Sequence, residues 1–207
     1  MPENENWLPL FPLNTVLFPD GILPLKVFET RYIDMVRDCM KKDAPFGVVL
    51  IKSGQEIGVA AEPETVGCLA HITNWDAPQL GVLLLRTQGS ARFRILETRS
   101  HKDQHLEARV DMLENISSEI KKEHAACANT LEIVIHDINS KGRAEHGADF
   151  ENPFAETLQL NDAGWVADRW SEILPIPLKA KQKLLELDDP QIRLTIIDQY
   201  LQQHHII

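Results

Sequence analysis

The sequence predicts an α+β protein in which a mostly antiparallel β-barrel, residues 1–113, is followed by an α-helical bundle, residues 114–207. Two observations carry this prediction. Near Leu113 the apolar pattern changes from short β-branched runs to a spacing of 3.6 residues. The 207 residues are 43% hydrophobic and 25% charged, which is typical of a globular protein with a sizeable core.

Short runs rich in β-branched residues and leucine, separated by Pro, Gly, Asn and Asp, predict the strands of the barrel. The segments 53–55, 88–90 and 100–104 have the composition of tight turns, so most strand pairing should be antiparallel and local in sequence. The predicted strands are residues 16–18, 22–28, 46–52, 56–61, 66–75, 81–87, 91–98 and 105–113.

One helix is predicted within the barrel, between residues 29 and 42. Tyr32, Met35, Val36, Cys39 and Met40 fall at the spacing that forms a single apolar stripe on a helix. We expect this stripe to pack on one end of the barrel.

Four helices are predicted after Leu113. The first covers residues 118–140, and the breaker-rich segment 141–161 should form a long loop or a short broken helix. The next covers residues 162–174, with Asn161 as its N-cap, and a third covers 177–187. Asp189 followed by Pro190 predicts the start of the last helix, which continues past Tyr200.

Charge and cysteine usage restrict the partners and the compartment. The net charge of −10 disfavours nucleic acid as a general partner, because an acidic surface repels phosphate, although a local basic patch could still bind RNA. The three cysteines, Cys39, Cys68 and Cys127, are widely spaced and suit neither a disulfide framework nor a zinc ribbon. Without a leader-like N-terminus or a long apolar run, the chain is expected to be cytoplasmic, with no membrane partner.

Catalytic signatures are absent from the sequence. It contains no G-x-x-x-x-G-K-S/T phosphate-binding string and no G-x-S-x-G or H-E-x-x-H motif. His101 and His105 flank a predicted turn, so we expect solvated side chains whose rings need not converge on a metal. The cysteines should behave as small buried hydrophobes. We therefore predict no catalytic residue, no cofactor and no metal ligand.

Two pairs of residues are candidates for contact with a peptide. Strand alternation places Arg92 and Arg94 together on the outer face of the barrel, where they would form a basic stripe for an acidic peptide or RNA. The alternative is an ordinary solvated strand face, or arginines paired with Glu and Asp. Phe150 and Phe154 are apolar rings in a polar segment and could also contact a peptide; alternatively they cap the core of the bundle.

The most specific string in the chain is L-P-L-F-P-L-N-T-V-L-F-P-D-G-I-L-P-L-K-V-F-E-T-R-Y, residues 8–32. Together with V-G-C-L-A at 66–70, G-S-A-R-F-R at 89–94 and the segment 168–193, it resembles the N-terminal substrate-binding domain of Lon proteases, the LON domain. The resemblance implies a PUA-like β-barrel followed by helices. In Lon proteases this domain precedes an ATPase domain and a Ser-Lys protease domain, and no sequence signal for either occurs here.

The resemblance implies a binding role without catalysis. We expect a stand-alone LON-domain protein that binds unfolded or extended polypeptide, by strand addition at a barrel edge or in a groove between barrel and bundle. The alternative is an RNA-binding PUA-like protein. The oligomeric state and the identity of the partner stay open at this point.

Overall fold

The computed structural model describes residues 7–56, 61–102 and 104–207, and the chain divides into two compact units, Met1–Glu114 and Asn115–Ile207. Within the described residues, the first unit contains a six-stranded sheet and one helix, and the second contains four α-helices. The predicted α+β fold with C-terminal helices is confirmed. Across the described residues, no helix combines the length and the apolar character needed to cross a membrane.

The sheet of the first unit closes on itself. Its strands follow the order β2-β5-β4-β3-β1-β6, and β5 also pairs with β6, which joins five strands in a ring with β2 attached to β5. All pairs are antiparallel except β1 with β3. The strands are β1 Leu8–Leu13, β2 Ile22–Val27, β3 Phe46–Ser53, β4 Glu62–Gln79, β5 Val82–Ser100 and β6 Leu106–Met112.

The first strand differs from the prediction. The chain is extended over Leu8–Leu13, between β3 and β6, although it contains Pro9 and Pro12 and proline is usually confined to edge strands. The predicted strand 16–18 is wrong, because those residues are irregular in backbone but buried. The apolar character of residues 16–18 therefore reflects their burial and not their pairing in a strand.

Strand β5 is continuous through the predicted turn 88–90, so that prediction is also wrong. Gly89 gives this segment the composition of a turn, but the glycine has a different role. Its N–H donates to the carbonyl of Gly21 at 2.8 Å, and its own carbonyl accepts from the N–H of Asp20 at 2.9 Å. A Cβ at position 89 would lie 2.1 Å from the carbonyl oxygen of Phe18, so glycine permits a close backbone approach. Most of the predicted strand 56–61 lies outside the described residues.

Helix α1, Thr30–Lys42, carries the apolar stripe as predicted. Tyr32, Met35, Val36 and Cys39 are buried in a core shared with the sheet. Within this core the rings of Phe11 and Tyr32 stack with their centroids 4.2 Å apart. The helix therefore completes the core of the barrel on one side.

The second unit contains helices α2 Ala125–His146, α3 Ala163–Ile173, α4 Leu178–Glu186 and α5 Pro190–Gln203. Helix α2 begins later than predicted and continues through the first residues of the predicted loop. Gly142 lies inside it, and a Cβ there would be 2.0 Å from Cε2 of Phe150. The glycine makes room for an aromatic ring and does not end the helix.

Side-chain caps fix the starts of two helices. Asp162, and not the predicted Asn161, caps α3: its Oδ1 accepts from the N–H of Trp165 at 2.8 Å. The cap at Asp189 is confirmed, because its carboxylate accepts from the N–H groups of Gln191 and Ile192. The core of the unit includes the fully buried side chains Leu131, Trp170, Leu194, Ile197 and Leu201.

Candidate functional site

A cavity of about 770 Å³ lies beside helix α1 in the first unit. We call it the α1 groove. Its walls come from α1, from the start of β1, from β4 and from β6. It includes a half-exposed side chain, Met112, which is 53% exposed, so a ligand can reach the groove from solvent.

The floor of the groove is apolar because it rests on a second core cluster of the barrel. Leu8, Leu69 and Val110 are half-buried and pack against the buried cluster that contains Leu10 and Phe93. On β6, residues two apart share one face, so Met112 follows Val110 along the same wall. The apolar side chains of the groove include Leu8, Pro9, Met35, Leu69, Val110 and Met112.

The rim of the groove carries more negative than positive groups. Asp34 and Asp38 are one helical turn apart on α1, and Glu107 lies on β6. The lysine and arginine side chains that line the groove are Arg31 and Lys42. This balance favours a ligand with positive charge beside its apolar groups.

Arg31 is a structural cation and not a loose surface group. Its side chain is 7% exposed, its Nη2 lies 3.0 Å from Glu29 Oε2, and its Nη1 donates to the carbonyl of Gln104 at 2.9 Å. The guanidinium also lies over the ring of Tyr32, 4.6 Å from its centroid. Arg31 thus ties the start of α1 to the β5–β6 turn and fixes one end of the groove.

Glu107 is held by several donors. Its Oε2 accepts from Arg99 Nη2 at 2.6 Å and lies 2.7 Å from His101 Nε2. Burial opposes ionisation, but the hydrogen bonds from His101 and Arg99 outweigh it and hold the pKa of Glu107 below its ordinary value. The guanidinium of Arg99 in turn lies 4.1 Å from the centroid of Trp7. This carboxylate is ionised and fixed in position at neutral pH.

The two turn histidines converge, against the prediction of independently solvated rings. The N–H of His101 donates to the carbonyl of His105 at 3.0 Å across the β5–β6 turn. The two rings are nearly parallel, with centroids 4.1 Å apart. The sequence did not predict this contact, because the distance between the two rings is set by the pairing of β5 with β6 and not by the four-residue spacing of the histidines.

The predicted basic stripe does not form. Arg92 is 1% exposed, so its placement on the outer face is wrong: the segment after β6 covers it, and its Nη2 donates to the carbonyl of Glu114 at 3.1 Å. Arg94 is exposed. Arg109 lies 3.3 Å from Glu97, so this arginine follows the alternative of pairing with an acid.

The two phenylalanine candidates lie in the second unit. Phe154 is 7% exposed, and the half-buried ring of Phe150 packs against Gly142 of α2. This arrangement agrees with the alternative in which they cap the core of the bundle. A role in peptide contact for Arg94 or either phenylalanine stays a prediction.

Sequence reasoning missed the apolar side of the α1 groove. Val110 and Met112 lie on the same face of the predicted last strand. The alternation of side chains along a strand does not show whether that face contacts solvent or lines a groove. The residues of β1 that line the groove could not be identified from the sequence, because that strand was not predicted. The assembly of the groove depends on the pairing of β1 with β6, about 100 residues later in the chain.

Two of the three thiols, Cys39 and Cys127, are not activated as nucleophiles. All three cysteines are buried, as predicted. Burial raises the pKa of Cys39 to about 11. Burial, together with the hydrogen bond from Cys127 Sγ to Asp198 Oδ1 at 3.1 Å, raises the pKa of Cys127 to about 12. At neutral pH these two groups stay protonated.

Comparison with known proteins places this chain in a family. The family model of the ATP-dependent protease La (LON) substrate-binding domain matches residues 7–203. Lon protease 2 of Myxococcus xanthus is 30% identical over 197 residues, which are 92% of this chain and 23% of that protein. The Lon protease of Syntrophus aciditrophicus is 31% identical over 200 residues, 90% of this chain and 24% of that protein. The chain thus spans about a quarter of the length of these relatives.

Solved structures agree. The crystal structure of a Lon N-terminal domain protein from Xanthomonas campestris has a TM-score of 0.74 and 33% identity, over 93% of this chain and 96% of that one. The N-terminal domain of a Mycobacterium avium complex Lon protease has a TM-score of 0.62 at 18% identity, covering 96% and 100% of the two chains, and supports the fold alone. The chain belongs to the family of the ATP-dependent protease La (LON) substrate-binding domain.

Proposed function

We propose that this chain binds unfolded or extended polypeptide segments without catalysing a reaction, and that the α1 groove is the binding site. The observation that carries the proposal is the groove itself: an apolar floor and a carboxylate-rich rim around about 770 Å³, in a member of a substrate-binding family. This volume falls within the range of protein ligand sites, about 300–1,000 Å³.

The apolar floor supplies affinity with little sequence selectivity. Leu8, Val110 and Met112 present aliphatic and thioether groups without a hydrogen-bonding demand, so a range of apolar side chains can replace water there. The flexible thioether of Met112 can adapt to ligands of different shape. A protein that must bind many unfolded segments needs this tolerance.

The rim supplies a charge preference. Asp34 and Asp38 project from α1 with side chains 66% and 62% exposed, and their ion pairs with Arg37 and Lys41 are surface pairs that contribute little. These carboxylates attract lysine or arginine next to an apolar residue of the ligand. We infer that basic, apolar segments bind best, and that binding weakens as salt screens the rim.

Binding of a peptide by strand addition at β2 is less favourable than binding in the α1 groove. Among the described residues β2 pairs only with β5, so it borders the closed ring of strands. Pro24 lies within β2 and removes one backbone donor from it. A docking peptide would have fewer main-chain partners there.

A matched pair of substitutions tests the proposal. Met112→Ser removes an apolar side chain from the groove without changing its charge, and Leu96→Ser does the same on β5 outside the groove, where Leu96 is 54% exposed against 53% for Met112. The ligand is a fluorescent peptide with a central apolar segment and flanking lysines, and fluorescence anisotropy gives its Kd.

Met112→Ser should weaken binding about tenfold, because losing the contact of a partly buried methionine costs about 1–2 kcal/mol. Leu96→Ser should leave the Kd within a factor of about two, and equal unfolding temperatures show that both variants fold. Equal Kd values for wild type and Met112→Ser would remove the groove from the site. Competition by RNA, undiminished by Met112→Ser, would support the RNA-binding alternative instead.

A further inference from the structure

The end of the β5–β6 hairpin brings three side chains with metal-ligating atoms together. One ring nitrogen of His101, one ring nitrogen of His105 and one oxygen of Glu107 all lie within 4.8 Å of one another. Two of these residues, His105 and Glu107, also line the α1 groove, but binding of a metal ion is a separate activity from the peptide binding proposed above.

Strand pairing places the three residues on one face. His101 and His105 oppose each other across the turn, and Glu107 follows His105 by two residues on β6. Arg99 is the register partner of Glu107 on β5, two residues before His101. The face thus consists of a histidine pair next to an arginine–glutamate pair.

The distances suit a single small cation. His101 Nε2 lies 2.7 Å from Glu107 Oε2, and His105 Nε2 lies 3.9 Å from Glu107 Oε1. Ligands bound at about 2.0–2.2 Å around a tetrahedral ion are about 3.4 Å apart. To bind one ion, the hydrogen bond between His101 and Glu107 has to open and the two stacked rings have to tilt so that their nitrogens face the same point.

A supporting shell surrounds the carboxylate. Arg99 Nε donates to Glu107 Oε2 at 2.8 Å, and the indole of Trp7 lies against the guanidinium. Outer partners of this kind fix the orientation of ligating carboxylates, and they are a usual part of metal sites. The side chains of His101, His105 and Glu107 are 38%, 20% and 18% exposed, so water can enter and complete the coordination.

The donor set selects the class of metal. Two imidazoles and one carboxylate suit zinc and its neighbours among the divalent first-row ions, whereas calcium and magnesium prefer oxygen ligands alone. The positive charge of Arg99 next to Glu107 opposes any cation and sets a limit on the affinity. We propose that His101, His105 and Glu107 form a three-residue site for a divalent transition-metal ion, zinc foremost, with water as the remaining ligand.

Two double variants of the full chain test this site. His101→Gln with His105→Gln removes both imidazoles from the turn. His204→Gln with His205→Gln removes the same number from the exposed residues after α5, and serves as the matched control. Binding of Zn²⁺ is measured by titration calorimetry and binding of Co²⁺ by its visible absorption, at neutral pH.

Wild type and the control should bind one Zn²⁺ with equal affinity, and the turn variant should bind at least about tenfold more weakly. Glu107→Gln should also weaken binding, and it keeps both histidines. Co²⁺ in wild type should show visible absorption bands that the turn variant lacks. The proposal is overturned if wild type binds no Zn²⁺, or if the turn variant binds it as tightly as the control.

Discussion

Replacing Gly89 by alanine should destabilise the barrel, although the substitution adds one methyl group within a strand. The added Cβ would lie 2.1 Å from the carbonyl oxygen of Phe18, and this neighbour is backbone that cannot rotate away. The Cβ would also lie 3.2 Å from Cys68 Sγ. The segment containing Phe18 and Gly21 must therefore move by about 1 Å or more to restore ordinary van der Waals contact.

That movement acts on two hydrogen bonds. Gly89 donates to Gly21 at 2.8 Å and accepts from Asp20 at 2.9 Å, so both bonds cross the interface that has to open. Overpacking costs about 1–3 kcal/mol, and each weakened hydrogen bond costs up to about 1 kcal/mol. We expect Gly89→Ala to lower the free energy of unfolding by about 2–4 kcal/mol.

Urea denaturation followed by far-UV circular dichroism measures this loss. Gly81→Ala is the control, because a Cβ at Gly81 meets nothing within 4 Å and only its φ of +81° is unfavourable. The control should lose about 1 kcal/mol. If Gly89→Ala loses no more than Gly81→Ala, the argument that glycine is required by the backbone approach at Phe18 is refuted.

Three further outcomes follow from single groups. Because the pKa values of Cys39 and Cys127 are raised to about 11 and about 12, native protein should react slowly with a thiol reagent at pH 8 and fully in urea; fast native labelling of either would contradict this. Because folding lowers the pKa of Glu107, wild type should be more stable than Glu107→Gln at pH values above the pKa of this glutamate in the unfolded chain. This difference in the free energy of unfolding should disappear as the pH falls through the pKa of Glu107 in the folded protein, and a difference that persists in acid would contradict the prediction. Asp189→Ala removes the cap of α5 and should cost about 0.5–2 kcal/mol in urea denaturation, whereas no loss would show that the cap is dispensable.

Local signals in the sequence were sufficient for the helices and for most strands. The stripe that begins at Tyr32 predicts α1, and Asp189 with Pro190 predicts the start of α5, because both signals act within one or two turns of helix. The same reasoning failed at Gly89 and Gly142. Both glycines are required by a distant neighbour, Phe18 and Phe150 respectively, and a single sequence does not name that neighbour.

The candidate site depended on contacts between segments far apart in the chain. Strand alternation predicts a shared outer face for Arg92 and Arg94, but it could not show that the segment at Glu114 covers Arg92. The parallel pairing of β1 with β3 was equally hidden, since prolines within β1 argued against a strand inside the sheet. Long-range topology, and not local propensity, assembles the groove.

Methyl NMR of the full chain with labelled methionines tests the central claim most directly, which is that polypeptide binds in the α1 groove. Met35 and Met112 line the groove, whereas Met40 lies on the same helix but outside it. Titration with the basic, apolar peptide should shift the methyl signals of Met35 and Met112, in proportion to occupancy, and leave that of Met40 nearly unchanged. Saturating peptide that shifts neither groove methionine, while anisotropy still reports binding, would contradict the account.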